Sequence, residues 1–335
     1  MNKKIIAALK YIVFLGLSVT LFVYALKDIS FDKFQQDLER TEYIWLILSL
    51  CIAVFSHIAR AYRWKILLEP IGYKPKLSNT FYAVMIGYFA NLALPRAGEV
   101  SRCAMLKKTD NIPADASFGT VITERIFDLI MLLSFVFINI LIEEKLKAFL
   151  WGIFGSKITS ITSNSTLIII MAIIIIVGLI GLFVLRNVIK KNALFIKITT
   201  LLSGLLDGLL SFSRIKRKGE FVISTFVIWF CYWAMLQVAI LAYPESANFG
   251  FIETFTILIV GGLAMSAPAP GGIGPYHYLV GSLLVLYGLS SESGVILATI
   301  LHSSQMLMMI VVGSASLIIV LVKESNLKKI RNENS

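Results

Sequence analysis

Long apolar runs separated by short polar segments dominate the chain and predict membrane-spanning helices. A helix needs roughly 20 apolar residues to cross about 30 Å of hydrocarbon. Runs of about that length occupy six places, 5–26, 43–60, 117–142, 167–185, 221–243 and 294–322. The predicted fold class is therefore an all-α polytopic membrane protein with about six full transmembrane helices.

Two further apolar segments contain helix-breaking residues. Segment 81–94 runs into a stretch at 94–102 where proline, glycine and charges follow one another. Segment 254–266 runs into a glycine-rich stretch at 267–277 before a second apolar limb at 278–289. We expect each to be a re-entrant hairpin that returns to its own side of the membrane. The residues expected to form the breaks and line a central cavity are Pro95, Gly98, Pro270, Gly271, Gly272, Gly274, Tyr276 and His277.

The two broken segments resemble each other in sequence. Superposing them pairs Phe81 with Phe255 and Gly87 with Gly261, and also pairs three small residues, Ala90 with Ala264, Ala93 with Ala267 and Gly98 with Gly272. This pattern favours an inverted repeat, although ordinary glycine and proline kinks are an alternative. The predicted organisation is a single membrane domain divided into 1–42, first helix and outer loop; 43–142, repeat A; 143–218, connecting helix and basic loop; 219–322, repeat B; and 323–335, cytoplasmic tail.

Composition supports a membrane rather than a nucleic acid as the partner. The chain is 57% hydrophobic and 15% charged, with a net charge of +11. Of its 31 Lys and Arg residues, 24 lie in segments 1–10, 60–77, 96–116, 186–218 and 323–335, against six in the alternate loops. By the positive-inside rule, we expect a multi-pass protein of the inner membrane with both termini in the cytoplasm.

The most basic segment, 186–218, contains an amphipathic run at 194–212 that is suited to lying on an anionic leaflet. Its role is either that of a plain surface helix or that of a lipid sensor. Cys51, Cys103 and Cys231 have no paired spacing, which predicts packing residues rather than a disulfide or a metal site. No cofactor is expected.

Charged residues at membrane depth are expensive and mark candidate sites. Glu99 and Arg102 are three residues apart, as are Arg125 and Asp128, so each pair can meet on one helix face and leave Glu124 to bind across helices. The candidate is a polar site that holds an anionic lipid headgroup, with Arg96 or Arg102 on its phosphate. A structural ion network is the alternative.

Other polar residues leave two interpretations open. Arg60 and Arg63 lie beside Trp64 at the end of a run, where they serve either as interfacial anchors or in phosphate recognition. His277 and His302 could relay protons, although single histidines in helix bundles are more often packing residues. A raised pKa at Glu99, Glu124 or Asp128 would also permit proton coupling.

The motifs resemble the transmembrane domain of lysylphosphatidylglycerol synthases. The resemblance rests on 60–64, on 86–91 leading into 95–102, on Thr123-Glu124-Arg125-Ile126-Phe127-Asp128 and on Pro270-Gly271-Gly272-Ile273-Gly274. It implies a flippase-like core with substrate-binding residues at Arg60, Arg63, Asn91, Arg96, Glu99, Arg102, Glu124, Arg125 and Asp128. Full synthases carry a following aminoacyl-transferase domain, whereas 13 residues follow Val322 here, so the resemblance implies a stand-alone member without lysyl transfer.

The sequence thus favours a transporter or flippase that moves a phospholipid or lipid-linked headgroup between leaflets. One alternative is an accessory subunit that docks an envelope-lipid or glycosyl-transfer enzyme through segment 186–218. Another is an integral-membrane transferase with Glu99 or Glu124 as general base. No soluble catalytic motif occurs at the required context, so the expectation is that the chain is not an enzyme.

Overall fold

The computed structural model describes residues 15–16, 19–26, 29–152 and 215–333, with side chains to residue 325. Within these ranges all regular structure is helical. Short helical stretches cover 19–26 and 144–152. The named helices are α1 (Phe31–Arg40), α2 (Tyr43–Leu68), α3 (Leu77–Ala93), α4 (Ala97–Asp110), α5 (Ala114–Ile142), α6 (Lys218–Ile240), α7 (Phe251–Met265), α8 (Pro275–Leu286) and α9 (Ser291–Glu333).

Helices α2, α5, α6 and α9 are long and apolar enough to cross a membrane. They correspond to four of the six predicted spans, and the all-helical, polytopic class is confirmed. Of the predicted first span, 5–26, only residues 15–16 and 19–26 are described, and these are helical. The predicted span at 167–185 and the amphipathic run at 194–212 lie outside the described residues.

Two helices extend beyond the apolar runs that predicted them, because those runs were ended at charged residues. Helix α2 continues eight residues beyond Arg60 to Leu68, and α9 continues beyond Val322 to Glu333. The first break is also shorter than expected. Only Leu94, Pro95 and Arg96 separate α3 from α4, so the charged residues Glu99 and Arg102 are helical.

The order of a long helix, a broken helix pair and a second long helix occurs twice. The first set is α2, α3–α4 and α5, and the second is α6, α7–α8 and α9. The leading helices α2 and α6 pack along each other, and α9 packs against both α3 and α8. The two sets therefore pack against each other instead of forming separate units.

The first hairpin closes through backbone contact between its two limbs. A Cβ added at Gly98 would lie 2.6 Å from Asn91 Nδ2 and would also meet the Gly87 carbonyl. Asn91 Oδ1 accepts a 2.7 Å hydrogen bond from the Gly98 N–H, which satisfies a free amide at the start of α4. Arg96 precedes α4 with φ of 65°, a left-handed conformation that reverses the chain.

The second hairpin closes around a short 3₁₀ turn, Pro270–Gly272. Gly271 has φ of 57°, and its carbonyl lies 2.9 Å from His302 Nε2 on α9. A Cβ at Gly271 would lie 3.3 Å from Leu92 Cδ2 at the end of α3. The two breaks therefore meet at Leu92 and Gly271.

Helix α1 packs on one end of the α2–α6 pair through a buried carboxylate. Asp37 accepts hydrogen bonds from Tyr243 Oη at 2.6 Å and from Lys33 Nζ at 2.8 Å. The bond to Asp37 raises the pKa of Lys33. Burial, followed by the hydrogen bond to Asp37, raises the pKa of Tyr243.

Of the cysteines, Cys103 and Cys231 are buried as predicted, whereas Cys51 is exposed and is not a core packing residue.

Candidate functional site

Seven charged side chains from α2, α4 and α5 meet in one cluster, which we call the arginine cluster. Its members are Arg60, Arg63, Glu99, Arg102, Glu124, Arg125 and Asp128. Four guanidinium groups face three carboxylates, which leaves one positive charge in excess. Such an excess favours an anionic ligand.

Glu124 is the centre of the arginine cluster. Its side chain is fully buried, with 0% exposure. Oε1 accepts a 2.6 Å hydrogen bond from Arg60 Nη1, and Oε2 accepts one of 3.0 Å from Arg102 Nη2. Arg63 Nη2 lies 3.6 Å from the same carboxylate. Glu124 therefore joins α2, α4 and α5, which agrees with its expected role of binding across helices.

Asp128 forms the second anchor, one turn along α5. It accepts hydrogen bonds from Arg63 Nη2 at 2.7 Å and from Arg60 Nη1 at 3.1 Å. With Glu124, it neutralises much of the charge that α2 brings into the core. Because both carboxylates lie on one face of α5 at a spacing of four residues, they form a continuous acidic stripe against α2.

The arginine cluster lies well inside the helices that carry it. Arg60 is eight residues from the end of α2, and Glu124 is ten residues from the start of α5. At about 1.5 Å of rise per residue, these positions are about 12 and 15 Å from the helix ends. Between the cluster and these helix ends, Trp64 Nε1 donates a 2.9 Å hydrogen bond to Thr120 Oγ1. This bond keeps α2 and α5 in register.

Aromatic and hydroxyl groups complete the arginine cluster. The Arg102 guanidinium lies 4.5 Å from the centre of the buried Trp64 ring, a cation–π contact. From α6, Tyr232 Oη accepts a 2.8 Å hydrogen bond from Arg60 Nη2, and Thr225 Oγ1 accepts one of 3.2 Å from Arg63 Nη1. The second helix set thus contributes directly to a site built mainly by the first.

The arginine cluster is open on the side of Arg125 and Glu99. Arg125 is 42% exposed, whereas Arg60, Arg63 and Arg102 are buried. Arg125 Nε lies 3.8 Å from Glu99 Oε1, and Glu99 Oε2 is buried without a hydrogen-bond partner. The Nε atoms of Arg63 and Arg102 are also buried and unpartnered. This edge can therefore both donate and accept further hydrogen bonds.

The structure excludes one of the two interpretations of Arg60 and Arg63, and it also excludes one predicted ion pair. Arg60 and Arg63 are not interfacial anchors, because both are buried in the core and bound by carboxylates. Glu99 and Arg102 do not pair, because Arg102 turns inward to Glu124 and Trp64, which leaves Glu99 beside Arg125. The predicted Arg125–Asp128 pair is present, with 4.0 Å between Nη1 and Oδ2.

Three of the other predicted site residues lie at the first break. Asn91 holds the hairpin closed through Gly98, and Pro95 lies in the break itself. Arg96 is exposed and forms no ion pair with a described residue. Within the arginine cluster, the accessible guanidinium is that of Arg125, whereas Arg102 is buried. Arg96 lies outside the cluster.

The residues predicted for the second break form a compact structure. Pro270, Gly271 and Gly272 make the buried 3₁₀ turn, and Gly274 precedes α8 with φ of 89°. Tyr276 and His277 lie in the first turn of α8 rather than in the break, because Pro275 starts the helix at its preferred first position. Both of these side chains are buried.

Tyr232, Thr225 and Trp64 were missed as site residues from the sequence. The signal available was a polar group within an apolar helix, since Thr225 and Tyr232 lie seven residues apart on one face of α6.

Among the described residues, no group of three or more His, Cys, Asp or Glu side chains is placed to hold a metal ion.

Comparison with known proteins identifies the family. The chain matches the lysylphosphatidylglycerol synthase TM region over residues 8–313. It belongs to that family. The match includes both helix breaks and every residue of the arginine cluster, so the structural features described above lie within the family's shared region.

Two curated relatives match shorter parts of this member of the lysylphosphatidylglycerol synthase TM region family. A UPF0104 membrane protein of Methanocaldococcus jannaschii is 31% identical over 119 residues, 34% of this chain and 35% of that protein. Glycosyltransferase AglD of Haloferax volcanii is 35% identical over 80 residues, 24% of this chain and 13% of that protein. The alignments thus span about a third or less of each relative. No solved structure matches the chain.

Proposed function

We propose that this protein moves the phosphate-bearing headgroup of a phospholipid or lipid-linked molecule between leaflets, along a polar path between the two helix breaks. The observation that carries the proposal is the arginine cluster, with its one excess positive charge and its open edge at Arg125 and Glu99. Guanidinium groups bind phosphate with charge-assisted, bidentate hydrogen bonds.

The physical task explains why such a site is needed in a membrane. A charged headgroup that crosses bare hydrocarbon loses its hydration at a large cost in free energy. A protein path that supplies guanidinium and carboxylate groups replaces that hydration, while the acyl chains remain in lipid. No metal or cofactor is required for this step. The acceptor at Glu99 Oε2 also gives headgroup hydroxyl or amine donors a partner.

The proposal includes an inverted repeat with re-entrant hairpins in the inner membrane, with both termini in the cytoplasm. Two observations support the repeat. The order of elements is the same in 43–142 and 219–322. In addition, Gly87 and Gly261, which are paired in the sequence superposition, each face the second limb of their own hairpin, at Gly98 and Tyr276 respectively. Inverted repeats are a common basis of alternating access.

The orientation is tested by labelling single cysteines with an impermeant thiol reagent, after Cys51, Cys103 and Cys231 are replaced by alanine. Lys74 follows α2 and Glu245 follows α6, and both are exposed. We expect Glu245→Cys to react from outside intact cells and Lys74→Cys to react only after permeabilisation. The reverse pattern would overturn the orientation without affecting the helix packing.

Headgroup movement is tested in proteoliposomes with fluorescent lipids that carry a panel of headgroups. We expect protein-dependent movement of at least one phosphate-bearing lipid. We further expect Arg125→Gln and Glu99→Gln to slow that movement about tenfold, because each removes a charged hydrogen-bonding group worth about 1.5–3 kcal/mol. Lys108→Gln is the matched control, since Lys108 lies on α4 but pairs with Glu324 away from the arginine cluster. A native protein that moves no lipid would contradict the proposal.

A second candidate is a membrane partner of a glycosyl-transfer enzyme. The match to glycosyltransferase AglD favours it, because the matched segment is only 13% of that protein, which is named as a glycosyltransferase. Isolation of one stoichiometric enzyme with this chain, together with absent lipid movement, would support this candidate. For the transferase alternative, Glu124 is a poor general base, because both of its carboxylate oxygens already accept hydrogen bonds from arginines. Glu99 is then the candidate base, since its Oε2 has no hydrogen-bond partner.

A further inference from the structure

A buried histidine pair lies beside the second break, outside the arginine cluster. His277 on α8 and His302 on α9 are 2% and 5% exposed, and their ring centres are 4.9 Å apart. Tyr276 stacks on His302 at 4.7 Å, with 18° between the ring planes. The sequence indicated each histidine as a possible proton relay but not their contact, because the two are 25 positions apart and on different helices.

The hydrogen bonds fix the tautomer of His302. Its Nε2 lies 2.9 Å from the Gly271 carbonyl oxygen, which can only accept. Nε2 must therefore carry the proton in the neutral ring, and Nδ1 is left as a bare lone pair. That Nδ1 atom is buried and has no hydrogen-bond partner. A buried acceptor without a donor is uncommon and calls for an explanation.

His277 is arranged differently and does not supply the missing donor through Nδ1. The Gly274 N–H donates to His277 Nδ1 over 3.4 Å, so Nδ1 is an acceptor and the proton of the neutral ring lies on Nε2. The Phe22 ring packs edge-on against His277 at 4.8 Å. Both histidines are thus neutral rings held by backbone groups of the break.

The surroundings of the pair do not stabilise a positive charge. Tyr276 is the other titratable group in contact with the rings, and no carboxylate forms an ion pair with either histidine within the described residues. An imidazolium buried in apolar surroundings without a counter-ion is strongly disfavoured. Water that entered through an opened break would remove that penalty.

His302 is also connected to the place where the two breaks meet. It holds the Gly271 carbonyl, and Gly271 packs against Leu92 at the end of α3. Gly271 also packs against Met306, one turn along α9 from His302. Separation of the two breaks would therefore expose the region around His302 to the aqueous phase.

We propose that His302 Nδ1 is a proton-binding site that is loaded only when the second break is open to water, so that headgroup movement is coupled to proton movement. This inference rests on the proposed function for its lipid substrate. In each cycle, Nδ1 takes one proton from the aqueous phase on the open side and becomes an imidazolium. It returns that proton to water on the opposite side of the membrane while the break is still hydrated, and the break then closes on the neutral ring.

The coupling predicts a measurable opening of the break at low pH. A hydrated histidine titrates at its ordinary value of about 6.5. A proton that binds only the open state therefore multiplies the open-to-closed ratio about tenfold on going from about pH 8 to about pH 5.5. Ala269 is 9% exposed in the closed break, so a cysteine there reports on opening.

The test measures labelling of Ala269→Cys with an impermeant maleimide, relative to Ser266→Cys, which is exposed and corrects for thiol reactivity. The native cysteines are first replaced by alanine. We expect the labelling ratio to rise about tenfold between the two pH values. His302→Gln keeps an N–H donor for the Gly271 carbonyl but cannot bind a proton. In this variant the labelling ratio should therefore be nearly the same at the two pH values. His302→Ala should also lose the pH response and be less stable.

A purely structural role for His302 predicts that His302→Gln behaves as the native protein and that only His302→Ala is altered. A native labelling ratio that does not change with pH, or one that still rises in His302→Gln, would overturn the inference. In proteoliposomes with a pH-sensitive dye inside, lipid movement should carry protons in the native protein and not in His302→Gln. If no lipid moves at all, the proposed function fails, and the labelling ratio still decides the proton site.

Discussion

Glu124→Gln is expected to unfold the centre of the molecule. The glutamine side chain has nearly the same shape, but it leaves Arg60 and Arg102 buried without the carboxylate that each contacts at 2.6 and 3.0 Å. Removing one partner from a buried ion pair costs about 3–5 kcal/mol, because the remaining charges lie in a low-dielectric core. We expect a large loss of thermal stability in detergent and little protein in the membrane fraction.

Glu144→Gln is the matched control for this change. Glu144 pairs with Lys147 but is 84% exposed, so the same substitution should change stability by less than about 1 kcal/mol. Thermal unfolding monitored by fluorescence-detected size exclusion compares the two variants directly. An unchanged melting temperature for Glu124→Gln would show that the buried arginines do not depend on this carboxylate. Adding Arg102→Gln to Glu124→Gln should restore part of the stability, because the pair then loses both charges.

Gly98→Ala is expected to prevent the first hairpin from closing. The new methyl group would lie 2.6 Å from Asn91 Nδ2 and would also collide with the Gly87 carbonyl. Backbone atoms cannot move aside as a flexible side chain can, so the limbs must separate and the Asn91–Gly98 hydrogen bond breaks. Overpacking of this kind costs about 1–3 kcal/mol or more. Headgroup movement should be lost even where folded protein is recovered.

Gly119→Ala provides the control for this effect. Gly119 lies on α5, and a Cβ there would meet no atom within 4 Å. Alanine favours a helix over glycine by about 1 kcal/mol, so this variant should be as stable as the native protein or more so. Comparable expression, melting temperature and lipid movement in the two variants would contradict the close packing of Gly87 against Gly98.

The helices and the two breaks could be predicted from the sequence because their signals are local. Apolar run length locates α2, α5, α6 and α9, and proline and glycine locate the interruptions. Helix ends were less predictable, because a charged residue such as Arg60 can be buried when tertiary contacts neutralise it. The sequence contains no local signal that Arg60 faces Glu124 rather than the membrane surface.

The charged residues of the site could be predicted from the sequence, but their ion-pair partners could not. Spacing within one helix suggested an ion pair between Glu99 and Arg102. In the structure, the Arg102 side chain instead points inward, where it pairs with Glu124 and packs on the Trp64 ring. Contacts between distant helices decide such pairs. Tyr232 and Thr225 entered the site for the same reason, since their partners are more than 160 residues away along the chain. The contacts of Tyr276 and His277 with His302 are likewise a consequence of helix packing.

The central claim is that the headgroup passes between the two helix breaks, and a reversible cross-link at their contact tests it most directly. A Cβ at Gly271 would lie 3.8 Å from Leu92 Cα, close enough for a disulfide between Leu92→Cys and Gly271→Cys. The single cysteine variants control for strain at Gly271. Lipid movement is scored by extraction of short-chain fluorescent lipids with albumin, which leaves the disulfide intact.

We expect oxidation to stop headgroup movement in the double-cysteine variant, and we expect a reductant to restore it in the same vesicles, while the single variants are unaffected by either treatment. Movement at the native rate with the disulfide formed would show that the headgroup takes another route, and the account of the two breaks as its path would be wrong.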